Sequence, residues 1–320
     1  MKFAPFFMAA AILLPASQAL AQAYPNKPIR LLVGYTPAGA ADFIARIVGD
    51  AMSKQMGQPI LIDNKAGAGS TLASSLLYQA PADGYTLGLA TGTLYGIDQY
   101  LYKVKYTPAS FTPITRFTIS PLVLAVNRNL GINSMRDFVA YSKANPGKLN
   151  YSSSGIGGSP HSAGLVFEKA VNGKMTHIPY KGGAPAIQAV AAGDVQFSFG
   201  TASSVLPLGQ AGTVKMLGVT TAQRSAVAPD LPTLSETGLP GFDFTFWFGL
   251  FGPANLPKDV QDKLFAVATQ VLNDPQVRAK LLGTGNEAAP SRSPTEFNDW
   301  ATVNGKGVLD RVEQAGVKVE

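Results

Sequence analysis

Ser152-Ser153-Ser154-Gly155-Ile156-Gly157-Gly158-Ser159-Pro160-His161 follows a short apolar run and precedes a helical pattern over residues 163–171. Three glycines in four positions let the backbone take positive φ and come close to a ligand, which a residue carrying a Cβ resists. Ser159 stands where an N-cap belongs, and Pro160 fits the first helical position, where a missing N–H costs nothing. Unpaired N–H groups at that helix start, backed by the positive end of the helix dipole, make a site for a carboxylate or phosphate. The same ten residues also fit a Gly-rich turn capped by serine for stability alone.

Working outward, the same plan recurs. Residues 29–34 read as a buried strand, and a helix beginning near Ala41 carries Ile44, Ile47, Val48, Ala51, Met52 and Met56 at helical spacing. Between them lies Tyr35-Thr36-Pro37-Ala38-Gly39-Ala40-Ala41-Asp42, a second small, Gly-containing loop ending on an acid that can cap or orient it. Strand 60–64, a tight turn at 66–70, helix 72–78 and strand 86–90 follow, and the last ends in the hydroxyl-bearing Thr91-Gly92-Thr93. From Leu122 the pattern restarts with strand 122–126, a helix opened by Ser134 and Asp137, strand 176–178, helix 184–191 and strand 195–199. Gly200-Thr201-Ala202-Ser203-Ser204 closes that strand as another small loop, and 215–220 is one more strand. Gly and Pro between 231 and 241 interrupt regular structure as a crossing segment does. Apolar residues 244–251, a helix over 258–272 and a capping box at Ser293-Pro294-Thr295-Glu296 before a last helix complete the chain. Strands alternating with helices predict an α/β protein with mostly parallel sheets and ligands at the strands' carboxyl ends.

Composition narrows the class. Lys2, an apolar run over residues 3–14 and Ala21-Gln22-Ala23 read as a secretory signal peptide cleaved after Ala23. The run falls short of the ~20 residues a membrane-spanning helix needs. With no cysteine, the chain has no disulfide, thiolate metal site or lipid-modified cysteine. The net charge of +6 is dispersed rather than gathered in a stripe, which argues against nucleic acid and for weak attraction to acidic small molecules.

Enzyme signatures are missing. There is no Gly-x-Ser-x-Gly elbow, Gly173-Lys174 lacks the upstream glycine of a phosphate loop, and Pro160 replaces the third glycine of a dinucleotide fingerprint. Two histidines, His161 and His177, in no metal-binding pattern make zinc chemistry improbable, and no cofactor is expected. His161 falls just inside the helix start and is expected to point at the anion site, whereas His177 sits in an apolar strand as a structural residue.

Over the whole mature length the chain resembles the extracytoplasmic solute receptors of tripartite tricarboxylate transporters, the Bug-type receptors. The resemblance rests on residues 35–42; Asp63-Asn64-Lys65-Ala66-Gly67-Ala68-Gly69; Pro81-Ala82-Asp83-Gly84-Tyr85-Thr86-Leu87; residues 155–161; Pro179-Tyr180-Lys181-Gly182-Gly183-Ala184-Pro185-Ala186; and Asp230-Leu231-Pro232-Thr233 with Pro240-Gly241-Phe242. It implies a two-lobed periplasmic binding protein fold of type II-like plan, each lobe a mostly parallel sheet flanked by helices, closing on a small organic acid in the cleft between them. Lobe 1 is expected from residues 24–120 plus 226–320 and lobe 2 from 121–225. Ala38 replaces a common glycine and costs backbone freedom; Ala66 replaces a frequent proline, a change expected to be structural only.

Residue reading and resemblance together place the ligand against Tyr35, Pro37, Ala38, Gly39, Asp42, Thr91 and Gly92 from one lobe. Ser154, Gly157, Gly158, Ser159, His161, Gly200, Thr201 and Ser203 face it from the other. Tyr35 is either an aromatic wall or core packing, and the same holds for Phe246 and Trp247. The leading function is a periplasmic receptor that binds a di- or tricarboxylate or an aromatic acid, acts as a monomer and delivers its ligand to the membrane permease subunits. The alternatives are a secreted hydrolase using Ser159 and His161, and a ligand sensor serving a signalling partner.

Overall fold

A computed structural model describes residues 24–314 and residue 316. The expected signal peptide, residues 1–23, lies outside the described residues. The first run of elements is β1 (Ile29–Val33), α1 (Ala40–Met56), β2 (Ile60–Asn64), α2 (Thr71–Tyr78), β3 (Thr86–Ala90), α3 (Ile97–Leu101) and β4 (Phe111–Asn127). The second is α4 (Met135–Ala144), β5 (Leu149–Ser153), α5 (Ser159–Val171), β6 (Met175–Pro179), α6 (Gly183–Ala192), β7 (Phe197–Thr201), α7 (Ala202–Gln210) and β8 (Val214–Val219). The chain returns through α8 (Leu234–Thr237), β9 (Thr245–Pro253), α9 (Lys258–Asn273), α10 (Pro275–Gly283), β10 (Glu287–Ala288) and α11 (Pro294–Gln314).

The fold is α/β with mixed sheets. In the first strand group β2, β1 and β3 run parallel and β9 lies antiparallel between β3 and β4. In the second, β6, β5 and β7 run parallel, and the far half of β4 lies antiparallel between β7 and β8. β4 therefore serves both groups: Phe111 to Pro121 pair with β9, and Leu122 to Val126 pair with β7. The sequence reading had a separate strand at 122–126. The register shifts at Pro113/Thr115, a bulge that accommodates a residue lacking an N–H.

Local chemistry explains the elements that carry the site. β1 is continuously apolar apart from Arg30, as a strand flanked by parallel neighbours and covered on both faces should be. α1 buries Ile44, Val48, Met52 and Met56 along one face and stops at Gly57, which takes the left-handed conformation (φ 68°) and returns its N–H to Ser53. Thr233 and Glu236 form a reciprocal capping box on α8 inside the Gly/Pro-rich return. Ser293 caps α11 through the Glu296 N–H, while the Glu296 carboxylate accepts from Arg292 instead of the cap residue. α7 occupies residues read as a loop, with Pro207 inside it.

One core joins α1 and α9 to β1, β3 and β9. An aromatic cluster of Tyr95, Tyr106, Trp247, Phe251 and Phe297 lies on the other face of the same sheet. Phe246 and Trp247 are thus core residues, both nearly fully buried. In the second group Phe138 stacks on Phe167 with centroids 5.2 Å apart, and Phe197 and Phe199 pack against them. No helix among the described residues is long and apolar enough to cross a membrane.

Candidate functional site

The carboxyl ends of β1, β2, β5 and β6 face one another around a cavity of about 330 Å³. From the first group it is lined by Gly34, Tyr35, residues 66–70 and Tyr102; from the second, by residues 154–156 and 179–182. Apart from the Lys181 ammonium, the lining offers main chain, the hydroxyls of Ser70, Ser154 and three tyrosines, and apolar surface.

The two sides touch at this cavity. The Tyr102 hydroxyl donates to the Ile156 carbonyl at 2.9 Å. Gly69 (φ 63°) lies so close that a Cβ on it would stand 2.8 Å from that same carbonyl oxygen. Gly182 (φ 129°) approaches Thr36 of the other side equally tightly, a Cβ there falling 2.5 Å from Thr36 Oγ1. Only glycine satisfies both the conformation and the approach at these positions. Beside Gly69, Ala68 (φ 44°) and Ser70 (φ 88°) also hold left-handed backbone, strain that persists only where the surroundings impose it and that gathers at ligand-binding segments.

Behind residues 153–159 lies a buried stack of Tyr151, His161 and His177. The two imidazoles are 3.9 Å apart at 17°, and Tyr151 stacks on His161 and lies tilted against His177 with centroids 5.0 Å apart. His161 Nδ1 accepts the Gly157 N–H at 2.9 Å, and His177 Nε2 meets Ser153 Oγ at 2.6 Å. Ser153 Oγ in turn bonds the Gly155 N–H, so both rings brace the glycine loop from below. Burial lowers His161 to about 4 and His177 to about 3, the latter also through the charge that His161 would carry. Both rings are therefore neutral at physiological pH.

This geometry corrects two expectations. His161 does not line the cavity: it is 3% exposed, and its ring is taken up by Gly157 and the stack. Ser159 is not the N-cap of α5. Gly158 holds that place in extended backbone, with Ser159 and Pro160 as the first helical residues, and no side chain caps the helix. Among the described residues the hydrogen bonds of the two imidazoles run to Gly157 and Ser153.

Of the other residues singled out from sequence, Tyr35 and Ser154 line the cavity. Tyr35 is also packed against the core, edge-on to Phe248 at 6.2 Å. Pro37, Ala38 and Gly39 precede α1 outside the lining. Asp42 holds that loop by accepting the Ala38 N–H at 3.1 Å and Arg46 at 2.9 Å. Burial opposes its ionisation, but Arg46 and the Ala38 N–H outweigh that and keep the carboxyl below its ordinary value. Thr91 is buried and hydrogen-bonds toward Tyr35, while Gly92 abuts Trp247. Gly200 sits against Ile187 and Val205 in the core, and Thr201 shares its hydroxyl with Ser203 and Ser204. Gly157 is packed on Ile97 and Leu101.

Sequence reasoning missed most of the lining. Residues 66–70 read as a tight turn, residues 179–182 as a connecting loop, and Tyr102 carries no reading, yet with the expected loop at 154–156 they form most of the wall. Applying the carboxyl-end rule to β2 and β6 as well as to β1 and β5 finds residues 66–70 and 179–182.

Comparison with known proteins gives the same architecture. The family model for the tripartite tricarboxylate transporter family receptor matches residues 44–296. A UPF0065 protein from the tcbD–tcbE intergenic region of Pseudomonas sp. strain P51 is 34% identical over 270 residues, 83% of this chain and 80% of the relative. A Rhodopseudomonas palustris protein solved with adipate superposes with a TM-score of 0.88 at 29% identity, covering 92% of this chain and 100% of the other. MatC from Rhodopseudomonas palustris, solved with bound malate, gives 0.84 at 29% identity over 90% of this chain and 100% of its own. The chain belongs to the tripartite tricarboxylate transporter receptor family, the periplasmic binding proteins of the TctC and Bug type.

Proposed function

We propose that the chain captures a small organic carboxylate in the cavity between its two strand groups and passes it to the permease subunits of a tripartite tricarboxylate transporter. One observation carries this reading: glycine loops from both groups meet around a 330 Å³ space whose polar groups are main chain, hydroxyls and one ammonium. Such a lining favours an anion through main-chain dipoles, hydroxyls and one ammonium. The adipate and malate held by two R. palustris relatives support the ligand class. The lobes are residues 24–120 with 226–320 and residues 121–225, hinged where β4 passes between sheets and where residues 220–245 return. Residues 1–23 direct export, the mature chain acts as a monomer in the periplasm, and it turns over no ester or amide.

Titration calorimetry of the purified mature chain with carboxylic acids and their amide analogues tests this. The acid binds and the neutral amide does not. Equal binding of the two would overturn the reading. X-ray scattering adds a check on closure, because ligand that bridges both lobes reduces the radius of gyration.

A further inference from the structure

The cavity's wall is aromatic to a degree its small residues conceal. Tyr35 enters from the end of β1, Tyr102 from the end of α3 and Tyr180 from the end of β6, so tyrosines from both sides of the cleft line one space. Ile156 and Pro179 add apolar surface between them. At about 330 Å³ the cavity lies at the small end of ligand pockets, room for one small organic acid.

Charge is distributed unevenly around that space. Lys181, exposed, is the lone ionised side chain of the lining. Behind Tyr35 and Tyr102 lies Asp98, fully buried, one helical turn before Tyr102 and close enough to act electrostatically on both tyrosines. Its Oδ2 accepts the Tyr106 hydroxyl at 2.8 Å, and its Oδ1 has no hydrogen-bond partner. An anionic group brought to the tyrosine end of the cavity meets the like charge of Asp98 across low-dielectric surroundings.

We propose that the site is specific for an aromatic monocarboxylate, with the ring among Tyr35, Tyr102 and Tyr180, the carboxylate on the Ser154–Lys181 side, and Asp98 excluding a second carboxylate. Ring pairs supply affinity beyond the area they bury, so a flat ring gains more here than a saturated chain of equal volume. The inference rests on the cavity being the carboxylate site, and it goes further by choosing among carboxylates.

Calorimetry on the purified mature chain with benzoate, cyclohexanecarboxylate, malate and adipate tests it. Benzoate binds at least about tenfold more tightly than the other three, a difference set by ring contact and like-charge exclusion. Tyr180→Leu, on a half-exposed loop residue, weakens benzoate about tenfold while Tyr180→Phe leaves it unchanged. Asp98→Asn, which still accepts the Tyr106 hydroxyl, tightens malate and adipate about tenfold and leaves benzoate within twofold. Malate or adipate binding as tightly as benzoate, or benzoate affinity indifferent to Tyr180→Leu, overturns the aromatic assignment and leaves the carboxylate reading standing. Failure of all four acids to bind removes both.

Discussion

His161 and His177 stack face to face 3.9 Å apart, one bonded to the Gly157 N–H and the other to Ser153 Oγ. Two imidazoles at that distance cannot both be charged at tolerable cost, and burial already disfavours the first proton. The loop they support therefore depends on their neutrality.

Stability should fall on acidification for this reason. Unfolded histidine takes up a proton near pH 6.5, whereas His161 in the fold resists until about 4. Between those values the unfolded chain binds more protons, so stability is full above pH 6.5 and is lost as pH falls toward 4. His161 alone accounts for about 2 kcal/mol of loss between pH 7.5 and 5. Urea unfolding at the two pH values should show that loss reduced by a similar amount in His161→Asn. An identical drop in both proteins would remove the stack from the account.

Asp98 acts in the opposite sense. Burial raises its carboxyl to about 6, against the hydrogen bonds from Tyr106 and Thr93 that favour the charged form. Here the folded chain holds its proton longer than the unfolded one, so this residue's contribution falls as pH rises from about 4 through 6. Asp98→Asn is expected to raise stability by about 1 to 2 kcal/mol at pH 7.5 and to change it little at pH 4. Thermal melts across that range check the sign.

Tyr102→Phe keeps the ring in the cavity wall and removes the hydrogen bond to Ile156. That bond joins the two sides of the cleft and exists only when they meet. Ligand affinity should weaken by about 0.5 to 1.5 kcal/mol, roughly two- to tenfold, with the melting temperature of ligand-free protein little changed. Calorimetry paired with scanning fluorimetry separates the two effects.

Gly69→Ala adds a methyl 2.8 Å from the Ile156 oxygen in a backbone region that disfavours side chains. The clash vanishes when the sides part. Binding should drop by tenfold or more, while the fold loses only the ~1 kcal/mol of the left-handed conformation. Scattering curves of the variant should stay those of the open form when ligand is added.

Ala38→Gly runs the other way. Ala38 sits at φ 63°, a conformation that costs an L-residue about 1 to 2 kcal/mol. Glycine relieves it and loses part of the gain to a freer unfolded chain. A net stabilisation of about 0.5 to 1 kcal/mol, read as a rise of about 1 to 3 °C in melting temperature, is expected.

Periodicity made β1, β2 and β3 legible, because each is a short apolar run ending in small residues. The amino-terminal half of β4 was not, since alternating threonines with Pro113 look like a loop until β9 supplies the partner strand. The same limit applied to the site. The cost of Ala38 was legible through the resemblance, which puts a glycine there, and its φ of 63° is the backbone that glycine takes freely. The direction of the His161 ring was not, because Tyr151 and His177 of β5 and β6 fix it from elsewhere in the chain. Residues 66–70 carry one polar side chain, that of Ser70, and most of their contribution comes from backbone shape.

The pairing of β3 with β9 also fixes an order of events during synthesis. Ala90 finds its neighbour only when Gly249 has been made, so β1, β2 and β3 leave the ribosome with an open edge that most of the remaining chain must pass before it closes. Long-range pairing of this kind slows folding, and an unpaired edge is a template for aggregation. A chain terminated after β8 would hold the aromatic cluster without Trp247, Phe251 and Phe297 and the first sheet without its central strand. Truncated products should thus be handled as unfolded chains by proteases and chaperones.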